Sequence, residues 1–257
     1  MEKNYFCCVI IVYKPNYILL EKCILSLIDQ LETIYIISNS NLDEIFLNKF
    51  NKKKIQIIQN TNNVGIAAAQ NIGIKKIINL KYKFLLMSDQ DSVYPQNYIK
   101  EMYNEYVNLR ENYKIAAICP LFFNTRNNKI YPMIKRKSFF RIKFKNSDKI
   151  NYVSETISSG MIIDIKAIKD IGMMNELLFI DWVDFEWCWR ALKKHYKIFV
   201  NTNMIINHDL GLVNNNYFAS KYPKYQFYRY YYIFRNGIYL ALYNKEISIP
   251  WRINIFF

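Results

Sequence analysis

The chain has 257 residues, 52% of them hydrophobic, with six glycines and six prolines, a composition that excludes disorder and can bury a full core. Its net charge of +14 asks for an anionic partner or surface, and no apolar run reaches the roughly 18 residues of a membrane span. Five cysteines (Cys7, Cys8, Cys23, Cys119 and Cys188) form no Cys-x-x-Cys pair and are odd in number, which fits reduced, mostly buried thiols better than a disulfide framework or zinc site. No structural metal is expected.

The opening MEKNYFCCVIIVY lacks a basic segment followed by a small-residue cleavage site, so no signal peptide and a cytoplasmic location are expected. Within it Cys7 to Tyr13 reads as a buried strand. Tyr17 to Leu31 has apolar residues at helical spacing, Ile34 to Ile37 and Ile55 to Ile58 are short β-branched strands, and Ala67 to Ile78 is helical. Phe84 to Met87 is a further buried strand, running into Ser-Asp-Gln-Asp-Ser before Pro95 opens a helix. Such alternation predicts one α/β domain with a doubly wound, mostly parallel sheet, whose ligand site lies at the carboxyl ends of the strands.

Beyond Ile115 the pattern shifts to shorter strands and loops. Lys135 to Lys149 holds seven basic residues against one acid, interleaved with Phe139, Phe140 and Phe144, a patch suited to nucleic acid, an anionic membrane or a phosphorylated substrate. Ile157 to Ile163 carries a Ser-Ser-Gly turn, and a helix is expected from about Asp181 to His195. The expected divisions are one domain over 1–218, with a more regular half to about 115 and a less regular half from 116 to 218, and a helical aromatic and basic tail from 219 to 257. That tail, with a helix around Tyr225 to Leu242, suits either packing on the domain or a membrane interface.

Two acidic clusters carry the chemistry. Asp89 and Asp91, two residues apart at a strand end, are ordinary turn residues, yet with a diphosphate they can hold a hard divalent cation. The chain has neither G-x-G-x-x-G after its first strand nor G-x-x-x-x-G-K-[ST] anywhere, so phosphates need another source of positive charge. In FIDWVDFEWCWRA, Asp181 and Asp184 read as N-cap and N3 of a capping box, with Glu186 and Arg190 a helix-surface pair. The same geometry lets a rigid carboxylate, walled by Trp182, Phe185 and Trp187, take a proton from a sugar hydroxyl.

In order and spacing, NVGIAAAQNIGI, FLLMSDQDS, SSGMII, FIDWVDFEWCWRA and NHDLG resemble the family 2 inverting glycosyltransferases, most of all the bacterial rhamnosyltransferase branch that builds O-antigen and capsule. The resemblance runs from the first strand to about Asn236. It implies a GT-A fold, a nucleotide-sugar donor and Mg²⁺ or Mn²⁺. Carried over position by position, Tyr13, Pro15 and Asn39 match the nucleoside-binding edge, and Asn63 and Gly65 the turn near base and ribose. Asp89 and Asp91 match the metal-binding pair, Asp184 the catalytic base, Arg190 a donor-side arginine and His208 a further metal ligand. Ser38 stands where the family usually has an acid that touches the base.

The implied reaction transfers L-rhamnose from dTDP-L-rhamnose, with UDP-hexoses as the alternative donors. The implied acceptor is a polyprenyl-diphosphate-linked or cell-surface glycan, met at the inner face of the membrane. A metal-dependent nucleotidyltransferase would also use paired aspartates but would want a Gly-rich basic loop after the first strand. A basic nucleic-acid-binding protein accounts for the charge yet leaves the acidic motifs without purpose, so nucleic acid is not an expected partner.

Overall fold

The computed structural model describes residues 3–50, 53–125, 128–137, 140–144, 150–207, 227–245 and 248–255. In chain order these residues form β1 (Phe6–Val12), α1 (Tyr17–Leu27), β2 (Thr33–Ser38), α2 (Glu44–Asn48), β3 (Ile55–Gln59), α3 (Gly65–Ile77), β4 (Phe84–Asp89) and α4 (Tyr98–Leu109). Then come β5 (Ile115–Asn124), β6 (Lys129–Ile130), β7 (Met133–Lys137), β8 (Phe140–Phe144), β9 (Ile150–Val153), β10 (Ile162–Asp164) and α5 (Ile165–Ile171). The last elements are α6 (Val183–Lys193), β11 (Lys197–Asn207), α7 (Phe227–Tyr243) and α8 (Ile249–Asn254).

Nine strands make one sheet, ordered β3-β2-β1-β4-β10-β5-β11-β9, with β6 paired to β5. β1, β2, β3 and β4 pair in parallel, as do β5 and β11, whereas β10 runs antiparallel between β4 and β5. β5 therefore points the same way as β4, and the carboxyl ends of β1, β2, β4 and β5 share one edge.

Period-two alternation divides each buried strand between two cores. Cys7, Val9, Leu85 and Met87 face the layer containing α3, α5 and α6, while Cys8, Ile10, Phe84 and Leu86 face α1 and α4. A strand covered on both faces has no polar side to show, which is why β1 and β2 read as continuous apolar runs. All five cysteines are buried free thiols.

Several boundaries differ from those expected. α1 ends at Leu27 rather than Leu31, whereas Ile157 to Ile163 carries the expected Ser-Ser-Gly turn, with strand from Ile162. The helix expected from Asp181 begins at Val183, because Asp181 and Trp182 adopt positive φ (62° and 66°), which a right-handed helix cannot contain.

The basic segment is a hairpin of β7 and β8, not an open loop, and part of its charge is consumed internally. Arg136 Nε donates to Glu155 at 2.5 Å and Arg141 Nε at 2.7 Å, while Trp189 Nε1 donates to the same carboxylate at 3.0 Å. The Glu155 side chain is fully buried and that of Arg136 only 3% exposed. Phe139 and 145–149 lie outside the described residues.

Removing one partner of a buried ion pair leaves a charge that cannot return to water. Glu155→Gln is expected to destabilise the fold by about 3–5 kcal/mol, read as a lowered urea midpoint. A loss below about 1 kcal/mol would show that solvent reaches Arg136.

Candidate active site

A cleft of about 290 Å³ opens at the shared carboxyl edge, lined by Tyr13 after β1, Asn39 after β2, Asn63 and Gly65 at the start of α3, and Asp89, Gln90 and Asp91 at the end of β4. Phe179, Ile180, Tyr228 and Arg229 close its other side. Six residues singled out from sequence thus meet in one place: Tyr13, Asn39, Asn63, Gly65, Asp89 and Asp91.

The Asp-Gln-Asp turn is fastened from three directions. Gln90 Oε1 accepts from the Tyr13 N–H at 2.8 Å and its Nε2 donates to the Tyr13 carbonyl at 3.3 Å, so one amide extends the β1 edge across to the turn. Ser159 Oγ accepts from the Asp89 N–H at 3.2 Å and lies 2.8 Å from Ser92 Oγ. Tyr94 donates to Ser88 Oγ at 2.8 Å.

Asn39 and Asn63 build the neighbouring turn. Asn39 Nδ2 donates to the Gly65 carbonyl at 3.1 Å, and Asn63 Oδ1 accepts from the Gly65 N–H at 3.0 Å. Gly65 has φ +84°, and a Cβ there would sit 2.5 Å from the Phe179 ring, so no other residue fits. Ser38 is fully buried, donates to the Ser40 carbonyl and is not among the lining residues. Pro15 is not among the lining residues.

The segment opposite is strained. Phe179 takes φ 61°, ψ −67°, and the Ile180 N–H returns to the Leu178 carbonyl at 2.7 Å, which makes a γ-turn of the rare hand. The Phe179 carbonyl accepts from the first N–H groups of α3, Ile66 at 2.7 Å and Ala67 at 3.2 Å, in place of a side-chain cap. Two buried amides hold this segment. Asn71 on α3 donates to the Met174 carbonyl and accepts from its N–H, and Asn236 on α7 donates to the carbonyls of Leu178, Ile180 and Asp181 at 2.7–3.1 Å. Neither amide was singled out from sequence, since an isolated Asn gives no local signal of a partner so far along the chain.

Asp184 is the second residue of α6, and no side chain caps that helix, which displaces the expected capping box. Its Oδ2 accepts from the Ser158 N–H at 2.9 Å, and Ser158 Oγ in turn accepts from Gln70 at 3.1 Å. The Ser-Ser-Gly segment therefore serves both carboxylates, Ser158 holding Asp184 and Ser159 holding Asp89. Burial, reinforced by the charge of Asp89, raises the Asp184 pKa from an ordinary 3.8 to about 6. Asp89 is raised to about 7, by burial first and then by Asp91, against the opposing pull of Arg229.

Glu186 and Arg190 do pair, at 2.9 Å, but in the interior rather than on a helix surface. Arg190 also donates to the carbonyls of Ile171 and Met173, so its guanidinium supports the 171–173 segment and does not line the cleft. Trp187 is only 1% exposed and donates to the Gly172 carbonyl, a core residue rather than a wall for a sugar. Asp181, expected as the helix cap, instead pairs with Arg229 at 2.5 Å. His208 lies outside the described residues.

The structure thus places a carboxylate pair at the edge of a parallel sheet and a third carboxylate, Asp184, within electrostatic reach of Asp89 from a separate helix, though Asp184 is not among the residues lining the cleft. The family model for glycosyl transferase family 2 matches residues 7–172. The dTDP-rhamnosyl transferase RfbF of Shigella flexneri is 30% identical over 258 residues, covering 99% of this chain and 84% of that one. Among solved structures, S. aureus TarS 1-349 in complex with UDP superposes with TM-score 0.62 at 14% identity, over 97% of this chain and 69% of that one. GalNAc-T7 with UDP, GalNAc and Mn²⁺ gives TM-score 0.64 at 14% identity over 80% of this chain, which spans only 44% of its length.

The chain belongs to glycosyl transferase family 2 and has the GT-A fold. Its nearly full-length similarity to a rhamnosyl transferase puts it in that branch of the family.

A raised carboxyl pKa means that ionising Asp184 costs stability. The sign follows: the cost is absent below pH 3.8, grows as pH rises, and is complete above about 6. Asp184→Asn, which can still accept the Ser158 N–H, is therefore expected to match wild type near about pH 3.5 and to be the more stable by at most about 3 kcal/mol at pH 7. Denaturant midpoints at the two pH values check it, and a variant destabilised at pH 7 would return Asp184 to a purely structural role.

Proposed function

We propose that the chain is an inverting glycosyltransferase that moves L-rhamnose from dTDP-L-rhamnose to a hydroxyl of a lipid-linked cell-surface glycan such as O-antigen or capsule. The observation that carries this reading is the pairing of Asp89 and Asp91 with Asp184, which come from separate elements yet lie close enough for the charge of Asp89 to raise Asp184.

Asp184 is the general base. Held by the Ser158 N–H, and with a pKa near 6, it is ionised at neutral pH yet basic enough to accept a proton. It removes the proton of the acceptor hydroxyl as that oxygen attacks the anomeric carbon. A single displacement from the face opposite the nucleotide inverts the configuration. Tyr13, Asn63 and the Gly65 turn face the nucleoside, with Asn39 fixing the turn from behind.

Asp91 and Asp89 are the proposed ligands of Mg²⁺ or Mn²⁺. Among the described residues no group of three or more His, Cys, Asp or Glu could hold a metal unaided, which suits an ion held by two carboxylates together with substrate phosphates. Such an ion would neutralise charge on the diphosphate.

The acceptor side is supported by a second cavity of about 310 Å³, walled by Pro120, Phe122, Met133, Ile157 and Phe185, with Arg141 and Lys143 among its lining. Two of its lining residues, Phe185 on α6 and Ile157, are the chain neighbours of Asp184 and of Ser158. Arg141 is paired there with Glu155, which also lines the cavity, so Lys143 is the side chain proposed to meet the phosphate of a lipid-carried glycan. Among the described residues no helix is long and apolar enough to cross a membrane, so contact with an anionic leaflet would be peripheral.

Thermal-shift titration with Mn²⁺ and each of dTDP-L-rhamnose, UDP-glucose and UDP-GlcNAc is expected to give its largest rise with the first. A preference for a UDP-sugar would move the donor assignment to the other base. Asp184→Asn is expected to lower the transfer rate per folded molecule by about 10²–10⁴ with donor affinity nearly unchanged, and the acid limb of kcat/KM near pH 6 should vanish with it. Near-normal turnover would end the base assignment.

The exposed Lys137 and Lys143 supply the membrane test, since Arg136 and Arg141 are tied to Glu155. Replacing both by Ala is expected to weaken binding to anionic liposomes more at low salt than at high salt. Equal binding at low ionic strength would leave the hairpin a solvated feature.

A further inference from the structure

The carboxylate of Asp184 is held through a buried relay that begins on α3. Gln70 is only 3% exposed, and its Nε2 donates to Ser158 Oγ at 3.1 Å, across 88 residues of chain. Ser158 then acts on Asp184 in two ways. Its N–H donates to Oδ2 at 2.9 Å, and its hydroxyl also bears on the carboxylate, favouring the charged form. A serine hydroxyl carries one proton and rotates to suit its neighbours. With an amide N–H directed at its oxygen, the Ser158 hydroxyl keeps its own proton for the carboxylate. That donor matters, because the charges nearest Asp184, those of Asp89 on β4 and Asp181 ahead of α6, both oppose its ionisation.

Stability does not explain the amide. Gln70 Oε1 is buried with no hydrogen-bond partner among the described residues, and a buried acceptor without a donor weakens a fold. The other buried residues of α3 are Ala, Gly and Ile, with Asn71 the one further polar side chain. Asn71 uses both ends of its amide on the Met174 backbone, as a structural amide does. Gln70 uses one end, and directs it at the serine behind Asp184. A methionine would fill the same space without the unmet acceptor.

We propose that Gln70 is a positioning residue for the transfer: it fixes the Ser158 hydroxyl as a donor to Asp184 and so keeps that carboxylate in one orientation. This rests on the reading of Asp184 as the general base.

The test is release of dTDP from dTDP-L-rhamnose, with Mn²⁺ present and water as the acceptor, or of UDP should wild type prefer a UDP-sugar. Urea midpoints are measured on the same variants of the full chain. Gln70→Met is expected to lower kcat by about 10-fold, to leave the donor KM within about twofold, and to have a urea midpoint no lower than that of wild type. Ser158→Ala keeps the N–H and loses the hydroxyl, so it should lose at least as much. The double variant is expected to be no slower than Ser158→Ala alone, since the amide acts only through that hydroxyl. Should Gln70→Met not fold, Gln70→Leu takes its place, and failure of both would make the amide structural and overturn the proposal. A normal kcat in Gln70→Met, a lowered midpoint, or losses that multiply in the double variant also overturn it, while leaving Asp184 as the base. Asp184→Asn that releases nucleotide at the wild-type rate, or wild type that releases none, sinks that reading and this proposal together.

Discussion

The carbonyl of Phe179 joins the two halves of the molecule. It belongs to the central residue of a γ-turn that L-residues avoid, and it supplies the acceptor that the Ile66 and Ala67 N–H groups at the start of α3 would otherwise lack. The Phe179 ring packs where a Cβ on Gly65 would be, so turn, ring and glycine specify one another. Positive φ at Phe179, Asp181 and Trp182 costs on the order of 1–3 kcal/mol at each position, and such a backbone persists only where its surroundings over-determine it. Asn71 from one side and Asn236 from the other do so, with the reward that Asp184 starts a helix at a fixed distance from β4.

The electrostatics of the site run against those of the chain. A protein of net charge +14 gathers Asp89, Asp91, Asp181 and Asp184 around one edge of its sheet. Burial of two of these raises their pKa values, so the cleft is poised to receive positive charge. Net charge alone pointed toward nucleic acid or membrane and said nothing about this edge. Part of the basic hairpin's charge serves Glu155 and the packing of Trp189, an internal role that a count of lysines and arginines cannot reveal.

What was legible in the sequence was local. Apolar runs gave the central strands, and the abrupt change from Leu-Met to Ser-Asp-Gln-Asp marked a strand end. The family resemblance, not these local signals, grouped Tyr13, Asn39, Asn63 and Gly65 with Asp89 and Asp91, and the structure brings the six to one cleft. The misreadings share one cause: each concerned a polar side chain whose partner is distant in the chain. Arg190 looked like a surface pair or a donor ligand because its bonds to the 171–173 carbonyls leave no periodic trace. Asp181 looked like a cap because its true partner, Arg229, lies 48 residues on. Gln90, between the two aspartates, carries no local signal that its amide ties their turn to β1.

The position of Asn236 also bears on how the protein is made. A ribosome delivers β1 through α6 before it delivers α7, and domains begin to fold as they emerge. Until Asn236 leaves the exit tunnel, the carbonyls of Leu178, Ile180 and Asp181 lack the amide that gathers them, and the γ-turn has nothing to hold it on that side. The nascent chain can therefore complete its sheet while the 178–181 segment stays unset, and that segment is fastened only once α7 has been made.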